Sequence, residues 1–256
     1  MITAREIMGR SQLPEKASGL YCLIGQAEDG TVHFCDILKA PHILVGGCTG
    51  TGKSVLLRGV VLSLIMNYTP DEVGLILLDT KKHCEFVVYD DIPHVVGLKI
   101  EDAEAELKRR LALGEGFNEQ KKIVVIIDEY AELSYDKKTK EIVQKLVQCG
   151  HGVGIHVIMA TQRVAKDVIT PVLQDNLATV IACRVADRRN SKFVLQKYGA
   201  EKLQGNGDML YKDSGGTIVR VQSGYVGNQG VQDIVQAIIE KYKRAGWVNE
   251  SSIFRY

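Results

Sequence analysis

Hydrophobic residues in this chain gather into short continuous runs, and from about residue 41 onward these runs alternate with longer mixed segments. Strands that are buried on both faces of a parallel sheet produce such runs, and crossover helices occupy the segments between them. Five runs are predicted to be strands: HILVG before a glycine-rich turn, VGLILLD ending at Asp79, KIVVIID ending at Asp128, GIHVIMATQ ending at Gln162, and ATVIACRV around Ile181. The pattern therefore predicts an α/β fold with a mostly parallel central sheet and helices on both faces.

The segments between and after these runs are predicted to be helices. They comprise residues 55–67, 101–113, 137–149, 171–177 and 188–198, and an amphipathic helix at 229–244 precedes a polar tail. Pro171 suits the first position of its helix, because a proline there loses no intrahelical hydrogen bond.

Two β-hairpins are predicted outside the parallel core. Residues 19–37 are expected to form two strands around Asp29-Gly30, the pair that type I′ turns prefer. Residues 207–222 are expected to form a second hairpin that turns at 214–216. We therefore expect three parts: an N-terminal β appendage packed on the core (1–40), the core itself (41–226), and a C-terminal helix and tail (227–256).

Composition and charge narrow the class of protein only slightly. With 256 residues, 45% of them hydrophobic, the chain is long enough to bury a sizeable core. Its net charge of +1 argues against a uniformly basic coat, although a ring or groove can still concentrate positive charge. The longest apolar run near a helix, 60–66, is far shorter than the ~20 residues of a membrane span, so no direct membrane insertion is expected. Six scattered cysteines without a C-x-x-C pair favour a reducing cytoplasm.

The glycine-rich turn GGCTGTGKSV fits the phosphate-loop pattern G-x-x-x-x-G-K-[ST]. In such a loop the glycines let backbone N–H groups converge on a phosphate, and the following helix presents its positive end to the same charge. A chance match is disfavoured because this turn follows an apolar strand and opens an apolar helix. The predicted nucleotide-binding residues are Gly47, Cys48, Thr49, Gly50, Thr51, Gly52, Lys53, Ser54 and Val55. Lys53 is expected to reach the β/γ oxygens and Ser54 to bind Mg²⁺.

Hydrolysis of a nucleotide also needs an acid on a neighbouring strand, and two predicted strands end in aspartate. Asp79 and Asp128 are both candidates for holding Mg²⁺. Asp128 is the better one, because Glu129 follows it and could act as a general base on an attacking water. The alternative is that Glu129 merely begins a solvated helix.

Gln162 ends the next predicted strand, beside the expected position of the γ-phosphate. The segment Thr161-Gln162-Arg163 could therefore sense the phosphate and report its hydrolysis to a neighbour. Polar strand ends are also common for structural reasons, but here three consecutive strand ends would place chemistry at one carboxyl edge of the sheet.

The motifs PHILVGGCTGTGKS, DTK, DIPHVV, VVIIDEYAEL, GIHVIMATQR, VITPVLQDNL, CRVADRRNS and GDMLY follow one another between about residues 19 and 226. In these motifs and their order the chain resembles the FtsK/SpoIIIE DNA translocases of the HerA–FtsK superfamily. The resemblance implies RecA-like P-loop NTPase subunits in a hexameric ring. It also implies ATP and Mg²⁺ between subunits and double-stranded DNA threaded through the pore.

The same resemblance assigns roles to individual residues. The family's nucleotide-site positions are matched by Lys53, Ser54, Asp128, Glu129 and Gln162. An arginine from an adjacent subunit is expected at the γ-phosphate, where it would neutralise charge in the transition state. Arg184 matches an arginine of the family, and Arg163 and Arg188 are the other possibilities.

A motor that grips every DNA sequence must hold phosphates rather than base edges, so basic loops are expected at the pore. The candidates for DNA binding are Lys137, Lys138 and Lys140, and separately Arg163 and Lys166. The alternative is that the lysines decorate a solvated helix end.

Departures from the family pattern leave other functions open. The segment 101–120 is short, Lys192 stands where the family often has arginine, and neither a membrane domain nor a winged-helix domain is recognised in the sequence. The first hypothesis is therefore a compact ATPase that translocates DNA for a phage, plasmid or conjugative element, with an unknown recruiting protein. The alternatives are a polypeptide-translocating ATPase resembling those of type VII secretion, and a nucleotide-dependent DNA-binding or packaging scaffold with little turnover.

Overall fold

The computed structural model describes residues 19–80, 85–114 and 120–247, together with the isolated position 14. Within these ranges ten strands form a single sheet. The strands are β1 (Tyr21–Ala27), β2 (Val32–Asp36), β3 (His42–Gly46), β4 (Val73–Leu78), β5 (Val95–Gly97), β6 (Lys122–Ile127), β7 (Ile155–Thr161), β8 (Thr179–Ala182), β9 (Asp208–Lys212) and β10 (Ile218–Gln222). Their spatial order is β2-β1-β10-β9-β8-β3-β7-β6-β4-β5.

The sheet has a parallel half and an antiparallel half. Strands β8, β3, β7, β6, β4 and β5 run parallel to one another. The remaining strands β9, β10, β1 and β2 extend the sheet by antiparallel pairing. Every residue of β3, β4 and β7 is buried, which explains their unbroken apolar sequences.

Seven α-helices lie in the described part of the chain. They are α1 (Lys53–Asn67), α2 (Ile100–Leu113), α3 (Tyr130–Leu133), α4 (Lys137–Cys149), α5 (Pro171–Asn176), α6 (Arg188–Leu195) and α7 (Asn228–Arg244). None of them combines the length and the apolar character needed to cross a lipid bilayer.

Helices cover both faces of the sheet, so alternate residues of each central strand enter different cores. Val124 and Ile126 of β6 pack into the core that contains α1 and α7. Ile123, Val125 and Ile127 pack into the opposite core with α2, α4, α5 and α6. The predicted α/β architecture with a mostly parallel sheet is confirmed.

Three local expectations differ from the structure. Strand β5 was not predicted, and it pairs with the edge of β4. Helix α6 ends at Leu195 rather than 198, because Gln196 adopts a left-handed conformation with φ of 62°. The first hairpin turn is not type I′, since that turn needs positive φ at both central residues and only Gly30, at 87°, has it.

The N-terminal hairpin is continuous with the central sheet. Gln26 and Ala27 of β1 pair with β10. The backbone N–H of Leu23 donates to Ser63 Oγ of α1 at 3.1 Å. Residues 21–36 thus pack on the core, and the division into an appendage (1–40), a core (41–226) and a C-terminal helix and tail (227–256) stays a prediction.

A buried arginine fixes α2 beside the strand that leads to the candidate site. Arg110 is 1% exposed, and its guanidinium donates to the backbone carbonyls of Val153 (2.9 Å) and Lys121 (2.7 Å). It also donates to Glu106 Oε1 at 2.6 Å. Burial alone would raise the pKa of Glu106, but hydrogen bonds from Arg109 and Arg110 outweigh it, and the pKa is lowered. Arg110 therefore joins α2 to the residue that precedes β6.

Candidate functional site

The glycine-rich loop lies between β3 and α1 and has a backbone that other residues would strain. Gly52 has φ of 113°, and a Cβ there would lie 2.6 Å from the backbone nitrogen of Gly207. A Cβ on Gly47 would lie 2.6 Å from Cys183 Cβ. These contacts exclude a side chain at either position, so the loop packs closely against the segments at 183 and 207, which fits the tight turn of the predicted nucleotide cradle.

Lys53 occupies the centre of this loop at the first position of α1. Its side chain is buried, and Nζ donates to the carbonyl oxygens of Gly47 at 2.7 Å and Cys48 at 2.8 Å. Burial raises the pKa of the adjacent Cys183 thiol to about 11, so this cysteine is neutral at physiological pH. The lysine is thus held where its charge can meet phosphate oxygens, while Ser54 and Val55 follow it, partly exposed, on α1.

Neighbouring strand ends hold the loop in place through backbone hydrogen bonds. The N–H of Gly47 donates to the carbonyl of Thr161 at 3.2 Å, and the N–H of Cys48 donates to the carbonyl of Arg184 at 2.8 Å. The side chain of Arg184 is exposed. The structure therefore places Arg184 beside the phosphate loop of its own chain.

The two candidate aspartates lie side by side at the ends of β4 and β6 but have different partners. Asp79 Oδ2 accepts from the backbone N–H groups of Glu85 (2.7 Å) and Phe86 (3.1 Å), so it anchors the segment that starts at residue 85. Asp128 is buried, and its Oδ1 accepts from the N–H of Thr80 at 2.9 Å and from its hydroxyl at 3.0 Å. This difference favours Asp128 as the acid that belongs to the site.

Glu129 is buried at the carboxyl edge of the sheet and is 3% exposed. Its Oε1 accepts from the hydroxyl of Thr161 at 3.0 Å, and both oxygens accept from the backbone N–H of Gln162 at 3.0 Å. Glu129 also caps α3 by accepting from the N–H of Ala131 at 3.3 Å. The alternative interpretation, in which Glu129 only begins a solvated helix, would require an exposed side chain, and Glu129 is buried.

Gln162 connects this carboxylate to the phosphate loop. The hydroxyl of Thr49 donates to Gln162 Oε1, while the backbone of Gln162 binds Glu129. The residues border a cavity of about 890 Å³, whose lining includes Cys48, Thr49, Thr80, Glu129, Gln162 and Arg163. Four predicted site residues are thus gathered around one open space: Cys48, Thr49, Glu129 and Gln162.

Among the predicted basic residues Arg163 lines this cavity, and the others lie on α4 and in the loop after β7. Lys137 and Lys138 are exposed in the first turn of α4, and Lys140 Nζ donates to the carbonyl of Asp167 at 3.1 Å. The carboxylate of the same Asp167 pairs with Arg163. Lys166 lies in the same loop, although it lines a second cavity next to α6.

Comparison with known sequences identifies the family. A sequence profile of the FtsK/SpoIIIE family matches residues 5–115. The chain is 34% identical over 286 residues to the DNA translocase FtsK of Staphylococcus epidermidis, a match that covers 98% of this chain and 35% of that protein. The chain belongs to the FtsK/SpoIIIE family of ATPases. It spans about a third of the length of the FtsK protein that it matches.

Solved structures agree with membership of the FtsK/SpoIIIE family. The pCW3 conjugation coupling protein TcpA, solved as a monomer with ATPγS, is 26% identical and superposes with a TM-score of 0.74 over 91% of this chain and 76% of its own. The cytoplasmic domain of the type VII secretion ATPase EccC from Thermomonospora curvata gives a TM-score of 0.79 over 93% of this chain and 34% of its own. At 22% identity EccC shows a shared fold alone. The predicted RecA-like ATPase fold is confirmed.

Three threonines hold side chains of the candidate site, and of these Thr80 was not assigned to it from the sequence, whereas Thr49 and Thr161 were. Thr80 holds Asp128, Thr49 joins Gln162, and the hydroxyl of Thr161 holds Glu129. All three follow or flank a predicted strand end or the phosphate loop. Its position directly after the predicted strand end at Asp79 is the signal that could have singled out Thr80.

Proposed function

We propose that this chain is the motor part of an ATP-driven translocase of double-stranded DNA that acts as a ring, most simply of six copies. The observation that carries the proposal is the continuity of Thr161, Gln162 and Arg163. The first two hold Glu129, Gln162 also contacts the phosphate loop, and Arg163 lies on the basic surface. Hydrolysis of the nucleotide can therefore move the basic surface at Arg163 through three consecutive residues.

The chemistry proposed for the nucleotide site follows from the side chains around it. The loop N–H groups and Lys53 bind the phosphates, and Ser54 with Asp128 would hold Mg²⁺. When bound, that ion neutralises charge on the phosphate oxygens. Glu129 orients the attacking water and accepts its proton, a role worth ~10²–10⁴ in rate. Gln162 responds to the presence or loss of the γ-phosphate, because its side chain contacts Thr49 of the phosphate loop.

An arginine from a second copy is proposed to complete the site. Arg184, Arg163 and Arg188 are the candidates, because each has an exposed side chain near the carboxyl edge of the sheet. An arginine supplied in trans stabilises transition-state charge and makes hydrolysis depend on assembly.

Duplex DNA is the proposed cargo for two reasons. The relative at 34% identity is named a DNA translocase, and the structure at 26% identity is a conjugation coupling protein. The exposed Lys137 and Lys138 in the first turn of α4 match the demand for sequence-independent phosphate contacts. ATP and DNA are both available in the cytoplasm, where we place the activity.

Steady-state hydrolysis with and without long duplex DNA tests this proposal. We expect DNA to stimulate ATP turnover and high salt to abolish the stimulation, because phosphate contacts release counterions. Glu129→Gln should lower turnover by ~10²-fold or more while ATP binding persists. Glu132→Gln is the matched control, since Glu132 lines the same cavity and is exposed.

Two results would contradict the proposal. If the Glu129→Gln variant hydrolysed ATP as fast as the wild type, Glu129 could not be the general base. The DNA motor would be refuted by two observations together. Duplex DNA would leave the hydrolysis rate unchanged at every salt concentration, and electron micrographs would show only monomers in the presence of ATP.

A further inference from the structure

Two cysteines face each other at the edge of the sheet, outside the candidate nucleotide site. Cys22 of β1 lies directly opposite Cys35 of β2 in their antiparallel ladder. Both are free thiols, and both are fully buried in the core that contains α1. Among the cysteines of the described ranges, they are the two that pair across a ladder. The hairpin thus holds a buried dithiol that the nucleotide chemistry does not use.

The register of the hairpin brings the two thiols within reach of a disulfide bond. Directly opposite residues of an antiparallel ladder point to the same face, and their Cα atoms lie about 4.5–5.5 Å apart. Disulfides join residues whose Cα atoms are about 4.4–6.8 Å apart. Cys22 and Cys35 can therefore be linked without a shift of either strand.

The surroundings make Cys35 the more reactive sulfur of the pair. The Cys22 thiol donates a hydrogen bond to Cys35, which raises the pKa of Cys22 and lowers that of Cys35 despite its burial. The hydroxyl of Tyr211 on β9 also donates to the Cys35 sulfur and lowers its pKa further. A lower pKa increases the fraction of thiolate, which is the form that attacks an oxidant.

An oxidant reaches Cys35 when the edge strand opens. In the described part of the chain, β2 lies at the end of the sheet and pairs with β1 alone. Their ladder is also interrupted by a register shift between Leu23 and Gly25, next to the cysteine pair. Segments held by few contacts open locally at a lower free energy than the core strands do. Such opening admits a small uncharged oxidant while the parallel half of the sheet stays folded.

We propose that Cys22 and Cys35 form a reversible disulfide with hydrogen peroxide as the oxidant, and that this bond locks the N-terminal hairpin. The Cys35 thiolate attacks one peroxide oxygen and becomes a sulfenic acid, while the O–O bond breaks and the leaving hydroxide takes up the proton that Cys35 lost. The Cys22 sulfur then attacks the Cys35 sulfur, and the hydroxyl group leaves with the Cys22 proton as a second water. The two sulfurs supply the two electrons that reduce the peroxide. A dithiol reverses the change and is itself oxidised to a disulfide.

The lock would act on the helix that follows the phosphate loop. The backbone N–H of Leu23 donates to Ser63 Oγ of α1 at 3.1 Å, and the N–H of Tyr21 donates to the hydroxyl of Tyr68, directly after α1, at 2.8 Å. A cross-link between β1 and β2 restricts the opened hairpin and so favours the closed one, in which these bonds are made. The inference concerns the hairpin itself and does not rest on the proposed function.

Peptide mapping of the full chain tests the disulfide directly. The wild type is treated with hydrogen peroxide, unfolded in urea, alkylated and digested. We expect a linked pair of peptides that contains Cys22 and Cys35, is lighter by about 2 Da than the two thiol peptides together, and separates again in dithiothreitol. Any other fate of the two sulfurs would refute the proposal: linkage to another cysteine, irreversible oxidation, or continued reaction with the alkylating agent.

Cysteine variants test the order of the two steps. Cys22→Ser should stop the reaction at the Cys35 sulfenic acid, which dimedone traps, whereas Cys35→Ser should leave Cys22 unreacted. Cys149→Ser is the matched control, because Cys149 is exposed at the end of α4, and this variant should form the same disulfide as the wild type. Thermal melts in reductant confirm that each variant folds. A dimedone label on Cys22 in place of Cys35 would overturn the assigned order.

Hydrogen exchange measures the lock. In the oxidised wild type the amides of β1 and β2 should exchange about tenfold or more slowly than in the reduced protein, because the cross-link disfavours local opening. The amides of the central strand β6 should exchange at the same rate in both states. A disulfide that leaves exchange in the hairpin unchanged would refute the lock. None of these measurements uses ATP or DNA, so their failure would leave the proposed function standing.

Discussion

At the scale of single residues, Thr161 decides how the proposed general base is held. Its hydroxyl donates to Glu129 Oε1 at 3.0 Å and accepts from the N–H of Arg163 at 3.2 Å. Thr161 is fully buried, so water cannot replace this bond. The hydroxyl therefore links the orientation of Glu129 to the backbone of the residue that reaches the basic surface.

Replacing Thr161 with valine tests that link. The variant keeps the shape of the side chain and removes its donor, so we expect stability to fall by about 1 kcal/mol. Turnover should fall about tenfold, a part of the ~10²–10⁴ that a positioned base contributes. ATP affinity should be unchanged, because the hydroxyl does not face the phosphate loop.

Thr161→Ser is the control, since serine retains the hydroxyl and should keep most of the turnover. Single-turnover kinetics and equilibrium binding of an ATP analogue distinguish the two effects. A valine variant with wild-type turnover would show that Glu129 needs no such support.

At the scale of elements, the turn between β3 and α1 owes its shape to Gly52. Gly52 has φ of 113°, so an alanine there would strain the backbone. Its Cβ would also lie 2.6 Å from the backbone nitrogen of Gly207, which is a steric clash. Strain of this kind costs ~1–3 kcal/mol. The loop can relieve it only by moving away from the turn before β9, which would misplace Lys53.

We predict that Gly52→Ala lowers the free energy of unfolding by about 2 kcal/mol or more and weakens ATP binding. Gly59 in the interior of α1 offers the matched substitution, because nothing lies within 4 Å of its Cβ position. Gly59→Ala should stabilise the protein by ~0.4–1 kcal/mol. Urea denaturation of both variants measures the difference, and equal effects at the two positions would contradict the role of the loop backbone.

The same elements show what the sequence could predict. The predicted bounds of β3 and α4 agree with the structure. Strand β3 is an unbroken apolar run and α4 has a capped amphipathic pattern, and both are strong local signals. Strand β5 has three residues and depends on pairing with β4, which no local pattern encodes. The left-handed Gln196 that ends α6 carries no glycine or proline signal.

For the candidate site, the sequence could predict which residues lie near one another, but it could not predict the hydrogen bonds that they make. Parallel strands end at a common edge, so the proximity of Asp128 and Gln162 followed from their places after predicted strands. The bonds of Thr80 to Asp128 and of Thr49 to Gln162 depend on side-chain orientations across neighbouring segments. The different roles of Asp79 and Asp128 depend on where the backbone at 85–86 returns to the sheet.

At the scale of the whole molecule, the sheet separates the nucleotide chemistry from a set of buried histidines. His42 begins β3 and His156 lies near the start of β7, at the edge opposite the candidate site. Burial, with the neighbouring histidines, lowers the pKa of His42 to about 3 and that of His156 to about 4. Burial also lowers the pKa of His94, which packs against Tyr242 of α7, to about 4.

These histidines predict an acid-sensitive fold. Each folded-state pKa lies below the unfolded value of about 6.5, so the unfolded chain binds more protons between those values. Their stabilising contribution is fully present above about pH 6.5 and is lost as the pH falls toward 4. Each group contributes a slope of about 1.4 kcal/mol per pH unit, or about 4 kcal/mol per unit for the three together.

Urea denaturation between about pH 7.5 and pH 5 measures this slope. His94→Gln removes one titrating group, so below about pH 6 its stability should fall with a slope about one third smaller than that of the wild type. The His94 Nε2 bond to the carbonyl of Tyr68, at 2.9 Å, gives the glutamine amide an acceptor to use. A stability that stays constant down to pH 5 would mean that these histidines become protonated in the folded protein, and the amino edge of the sheet would then have to admit water.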